Sequence, residues 1–209
     1  MESYKIPASD ATAEFTEKKS RFIGNIFCVS SAQQAADIIK SMQKQFWDAT
    51  HNVYAYILKD GTMRFSDDGE PQGTAGMPTL EVLKKEQVFD VLCVTTRYFG
   101  GILLGAGGLV RAYAHSAKIA LDAAGVAVMQ PYAVLTLDCH YSFLESVRKC
   151  CGHFGAMEES ADFGAEVRLT VCLPASAAAE FAAKITDITN GRVIPRSAGE
   201  KMMAVPLQK

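Results

Sequence analysis

Three carboxylates and a run of small residues crowd into the stretch RFSDDGEPQGTAGMP, residues 64–78. Asp67, Asp68 and Glu70 repel one another, and that repulsion must be offset by a cation, by backbone N–H donors or by water. Gly69, Gly73 and Gly76 let the backbone bend closely and leave amides bare. Two chemistries fit. In one, the carboxylates hold a cation or a basic partner while the amides hold an anion. In the other, the stretch is a self-capped turn, with Asp67 or Asp68 accepting from loop amides, as Asp-Asp-Gly sequences commonly do.

A second side-chain-poor segment follows about thirty residues on: TRYFGGILLGAGGLVRAY, residues 96–113, with glycines at 100, 101, 105, 107 and 108. Bare amides at the start of a helix make a natural anion site. The spacing matches neither standard phosphate motif: Ala106 stands where a P-loop needs lysine, and Val110 replaces the third glycine of a dinucleotide fingerprint. Tight packing of helix on strand explains Gly100, Gly101, Gly105, Gly107 and Gly108 equally well. Arg97 and Arg111 flank the segment, and each is a candidate partner for Asp67, Asp68 or Glu70. The expected geometry is an acidic bend, including Gly73, docked beside the glycine loop and its arginines, with two backbones in close approach. His51 heads a strand near the same hairpin and is placed to border that pocket. Tyr98 is a candidate platform for a base or a peptide, whereas Phe99 is expected in the core.

No catalytic group is assigned. His51, His115, His140 and His153 share no metal-ligand spacing, no Ser-His-Asp arrangement is identifiable, and neither a metal nor a cofactor is expected.

These loops need a scaffold. Residues 21–29 read as a strand, after which Ser31 with Gln34 forms a capping box for a helix striped by Ala35, Ile38, Ile39, Met42 and Phe46. Residues 51–58 and 62–66 form a hairpin, and Pro78 opens a short helix to about Lys85. The apolar run 88–96 predicts a central strand buried on both faces. The helix that follows, to about Ala124, buries Leu109, Ala112, Tyr113, Ser116, Ala117, Ala120 and Leu121. Beyond Pro131 the pattern restarts as strand, helix (capped by Ser142 with Glu145), strand pair turning at Gly164, helix ended by Asn190-Gly191, and a last strand from about Arg192. That βαββαβ order is the ferredoxin-like split unit. Two domains are therefore expected, 1–130 and 131–209.

Composition narrows the function. Residues up to Gln130 carry 13 basic and 14 acidic side chains, and the remainder 8 and 9, so neither half offers a generic grip on DNA or RNA. Six cysteines lie mostly in apolar stretches without a CxxC pair, which suits buried thiols in a reducing cytosol. The N-terminal stretch has no apolar signal segment, and no apolar run reaches membrane-spanning length, so a cytoplasmic protein is expected.

The two loops resemble the IMPACT family, in its bacterial YigZ-like branch. The resemblance rests on Asp67-Asp68-Gly69-Glu70-Pro71, Gly73-Thr74-Ala75-Gly76 and Pro78. It continues through Thr96-Arg97-Tyr98-Phe99-Gly100-Gly101, Leu104-Gly105, Gly107-Gly108-Leu109 and Arg111-Ala112-Tyr113, and includes Lys19-Ser20-Arg21-Phe22, His51 and Ala55-Tyr56. It implies an α+β protein, with an N-terminal domain like the second domain of ribosomal protein S5. The C-terminal ferredoxin-like domain would resemble the last domain of elongation factor G. It further implies a non-catalytic binding role in translation or its regulation, with RNA, the ribosome or a translation-linked protein as partner. Eukaryotic relatives regulate translation by binding a ribosome-associated activator of a stress kinase. The alternative is an enzyme acting on a phosphorylated or nucleotide ligand, with Mg²⁺ at Asp67, Asp68 and Glu70. A single-stranded RNA binder built on the second sheet ranks below both, because VRLTVCLP lacks the paired aromatics such sheets use.

Overall fold

A computed structural model describes residues 2–207. The chain divides into two compact units, one comprising Tyr4–Val128 with residues 204–207, the other Met129–Met203 with residues 2–3. Among the described residues no helix is long and apolar enough to cross a membrane.

The larger unit carries β1 (Tyr4–Pro7), β2 (Ala11–Glu17), β3 (Ser20–Cys28), α1 (Ala32–Gln45), β4 (His51–Ile57), β5 (Met63–Ser66), α2 (Gly76–Glu86), β6 (Val91–Tyr98) and α3 (Ala106–Ala124). Strands β2-β3-β6-β4-β5 form one antiparallel sheet. Its centre is β6, and the apolar run explains why. Val91 and Cys93 pack with Leu80, Leu83, Ala117, Ala120 and Leu121 under α2 and α3. Leu92 and Val94 pack with Ala35, Ile39 and Met42 of α1 on the opposite face. A strand covered on both sides has no use for alternation. Helix α3 sits close enough that a Cβ on Gly24 of β3 would come within 2.7 Å of the Ser116 carbonyl.

Local signals also explain the helix starts. Ser31 Oγ accepts from the Gln34 amide at 3.2 Å, while the Gln34 side chain accepts from the amide of Ser30 at 2.8 Å, one residue earlier than a standard capping box. The two N-terminal strands were not expected. Strand β2 alternates half-buried and exposed positions and contains only one large apolar residue, Phe15, so its hydrophobic signal is faint.

The smaller unit contains most of β7 (Val126–Cys139), then α4 (Leu144–His153), β8 (Met157–Phe163), β9 (Val167–Pro174), α5 (Ala178–Ile188) and most of β10 (Arg196–Pro206). Strand β9 lies between β8 and β7, and β10 also pairs with β7. Leu135, Leu137 and Cys139 of β7 join Val167, Leu169, Val171 and Leu173 of β9 beneath Val147, Phe181 and Ile185 of the helices. The Ser142–Glu145 capping box does not form. His140 Nδ1 accepts from the Ser142 amide at 3.3 Å, a short 3₁₀ turn intervenes at Tyr141–Phe143, and Glu145 pairs with Lys149 instead. The last strand starts at Arg196, not Arg192, because the chain first turns through Val193, which is buried in the core.

Candidate binding site at the acidic bend and the glycine loop

Asp67 leaves the end of β5 and folds its carboxylate back over the bend. One oxygen accepts from the Gly73 amide at 2.8 Å, and the other accepts from Ala75 and Gly76 at 3.0 and 2.8 Å. Residue 75 at the start of α2 has no side-chain acceptor of its own, so Asp67 supplies the cap from a distance. Asp68 sits at φ +43° and accepts from the Asn52 amide at 2.5 Å, while its carbonyl faces His51 Nδ1 at 2.7 Å. A carbonyl only accepts, so the proton of that bond is assigned to Nδ1. Asp67 thus follows the self-capped reading, whereas Asp68 ties the bend to strand β4.

Glu70 does neither. Its side chain is buried, and Oε1 accepts from Arg97 Nη1 at 2.5 Å and from the Tyr113 hydroxyl at 2.7 Å. His51 Nε2 stands 3.8 Å from the same oxygen. Burial, and then the bond to Glu70, push the Tyr113 hydroxyl far above the ordinary phenol range. Arg97 is the penultimate residue of strand β6, with its guanidinium carbon 5.4 Å from the Phe22 ring centroid and 5.5 Å from that of Phe99. Its Nη2 donates to Ser20 Oγ at 3.3 Å, and its buried Nε has no partner among the described residues.

The glycine loop abuts this network. Gly100 presses against the turn between β2 and β3, where a Cβ would overlap the Lys19 carbonyl and the Ser20 amide. The close approach is therefore to residues 19–20 and not to the acidic bend. Gly108 packs on Leu104, where a Cβ would approach to 2.9 Å. Gly73, Gly101 and Gly105 hold positive φ with open space around them. The bend reaches the loop through side chains: Ala75 packs with Leu109, Ala112, Tyr113 and Leu104. Tyr98 donates to Asp48 at 2.9 Å, and Phe99 is anchored by its amide to Thr50 Oγ1 at 3.0 Å.

Some assignments change. Arg111 is exposed and pairs with no carboxylate among the described residues; its guanidinium folds beside Gly107. Phe99, expected in the core, is 45 % exposed, and Leu103 is 81 % exposed. Tyr113 was expected only as core filling, yet it is the second donor to Glu70. A hydroxyl in a stripe of alanine, serine and leucine was the available signal, since a buried phenol finds a partner. Ser20 and Asn52 carried no comparable signal. The Mg²⁺ arrangement meets a specific obstacle: Asp67, Asp68 and Glu70 spend their oxygens on three different sets of donors. Among the described residues no group of three His, Cys, Asp or Glu side chains is grouped to hold a metal ion.

Fold and site together define an α+β protein of two units, in which an acidic bend bonded to donors within the fold lies beside an open, glycine-rich loop. Residues 18–121 match the Impact N-terminal domain and residues 137–192 a domain of unknown function, DUF1949. The chain is 36 % identical to the IMPACT family member YvyE of Bacillus subtilis (strain 168), over 92 % of this chain and 89 % of that one. It is 37 % identical to the IMPACT family member YigZ of Escherichia coli (strain K12), over 91 % and 96 %. A solved structure described as a crystal structure of an hypothetical protein aligns with a TM-score of 0.61 at 34 % identity, covering 100 % of this chain and 99 % of that one. The chain belongs to the IMPACT family.

Proposed function

We propose that this protein is a non-catalytic binding protein of the cytoplasm, associated with translation or its regulation. Its partner, whether RNA, the ribosome or a translation-linked protein, docks on the N-terminal half through the face built by the acidic bend and the glycine loop. The observation that carries this reading is the division of labour at the site. The three carboxylates are committed to donors within the fold, Asp67 and Asp68 to backbone amides and Glu70 to Arg97 and Tyr113, while the loop beside them projects apolar side chains into solvent. In this reading residues 1–130 form a domain like the second domain of ribosomal protein S5. Residues 131–209 form a ferredoxin-like domain resembling the last domain of elongation factor G, a reading supported by the βαββαβ order and by β9 lying between β8 and β7. Fold analogy points to translation by association; the site supplies the physical argument.

Sedimentation of the purified protein with ribosomes through sucrose, weakening as salt is raised, is the expected result. Turnover of a nucleotide or a dipeptide by the pure protein, lost in Asp68→Asn, would overturn the reading in favour of an enzyme.

A further inference from the structure

The reading above leaves the partner's chemistry open, and the loop's surroundings narrow it. Leu103 is 81 % exposed, Phe99 45 % and Ile102 43 %, three large apolar side chains within five residues. Gly100 holds the start of that loop against the backbone of Lys19 and Ser20, so the exposed Lys18–Lys19 turn borders the apolar residues. That turn is held in an unusual shape, with φ +45° at Lys18 and +64° at Lys19. Arg111 stands on the second turn of α3, just past the loop, where it lines a groove with Phe15, Gly108, His115 and the exposed Glu17, whose carboxylate shares this margin without pairing to it. Among the described residues Lys18, Lys19 and Arg111 have no carboxylate partner, although Arg21 and Lys118 nearby in the same unit do. An apolar centre rimmed by unpaired cations is complementary to an apolar face rimmed by acids.

We infer that this surface docks an acidic, amphipathic segment of a partner protein, one that presents leucine-class side chains on one face and Asp or Glu along its margins. The inference rests on the proposed binding role and specifies its partner. A nucleic acid fits less well. Single strands are held by stacking on several aromatic rings along a basic groove; here Leu103, the most exposed of the three, and Ile102 have no π-face, and the one ring among them, Phe99, already has the Arg97 guanidinium 5.5 Å from its centroid. Recognition of an amphipathic helix through two or three apolar anchors is a common mode for such a surface.

The test uses fluorescence anisotropy on the full chain with four labelled probes: a short helical peptide of leucine and glutamate with its leucines at i, i+3, i+4 and i+7, the same peptide with lysine for glutamate, a scrambled acidic peptide, and a single-stranded RNA oligonucleotide. The amphipathic acidic peptide should bind in preference to the other three. Leu103→Ser should weaken it by about tenfold or more, the value of one buried leucine. The Lys18→Glu/Lys19→Glu variant should weaken it too and flatten its salt dependence. Equal binding of the basic or scrambled peptide, binding of the RNA alone, self-association of the chain that Leu103→Ser abolishes, or no effect of Leu103→Ser would each overturn the inference. Ribosome sedimentation of the same variants separates this from the broader reading. Leu103-dependent sedimentation without peptide binding sinks the inference and keeps the translation role; peptide binding without sedimentation does the reverse.

Discussion

The acidic bend and the glycine loop lie side by side in one unit and are built on opposite principles. In the bend, each of Asp67, Asp68 and Glu70 is tied to a named donor within the fold, and Glu70 is buried. In the loop, the backbone is pinned at Gly100 and the side chains at 99, 102 and 103 face solvent. The residues that look most chemical are the ones that brace the structure, and the residues that look inert form the surface available to a partner. A cluster of charges near a glycine-rich loop is therefore weak evidence of catalysis until the fate of each oxygen is known.

The largest effect expected from this contrast is at the buried pair. Arg97→Met strips the buried Glu70 of its guanidinium partner, leaving the Tyr113 hydroxyl as hydrogen-bond donor with His51 Nε2 3.8 Å away, and should cost about 3–5 kcal/mol of stability, read as a lowered urea midpoint. Glu70→Gln should relieve much of that loss, so the double variant should fall short of the sum of the singles by roughly 1–3 kcal/mol. Arg111→Met, at an exposed site, should stay within about 0.5 kcal/mol. Additive behaviour of Arg97 and Glu70 would break the comparison at its root.

The next effect is at the cap. Asp67→Ala strips the acceptor from three amides at 2.8–3.0 Å and should cost about 2–3 kcal/mol. Asp67→Asn keeps one carbonyl oxygen and should cost less. If the two variants proved equal and harmless, the bend would not be held by this carboxylate.

A pH experiment probes the same bend through Tyr113. Its hydroxyl is raised in the folded state from 10.0, so its contribution is complete below pH 10 and is lost as pH rises above it, where the unfolded chain releases a proton that the folded chain retains. The slope above pH 10 should steepen by about 1.4 kcal/mol per pH unit because of this group. Cys93, pushed to about 12 by burial, adds its own loss beginning near pH 9. Tyr113→Phe should flatten only the part above pH 10. A slope that Tyr113→Phe leaves unchanged would mean that the phenol is not kept protonated by its burial and its bond to Glu70.

Local chemistry made much of this legible in the sequence. The unbroken apolar run of β6 announced burial on two faces, and the spacing from Leu109 to Leu121 announced the buried stripe of α3, because each depends only on neighbours along the chain. Asp67 was legible as a turn acid for the same reason. What the sequence left open was decided by trajectory. Which carboxylate meets Arg97 depends on the left-handed backbone at Asp68, which turns that side chain to Asn52 and sends Glu70 inward. Arg111 has the same chemistry as Arg97 but sits on the solvent face of its helix. Strand β2 went unread because an edge strand with alternating small residues needs little hydrophobicity. Phe99 was misplaced because a residue beside two glycines next to a buried strand gives no sign of which side the chain will turn.

The smallest expected effect on stability is at Leu103, and it tests the other half of the contrast. At 81 % exposure the side chain loses little packing on replacement, so Leu103→Ser should leave the melting temperature and the urea midpoint unchanged to within about 0.5 kcal/mol. A braced bend and a free loop require this result together with the large loss at Arg97: stability concentrated at one segment, availability at the other. If Leu103→Ser lowered stability by as much as Asp67→Ala, the loop would be part of the core in solution, and its apolar side chains would owe their presence to folding. If stability holds while peptide binding falls, a leucine that contributes nothing to the isolated fold has its explanation in what it meets outside it.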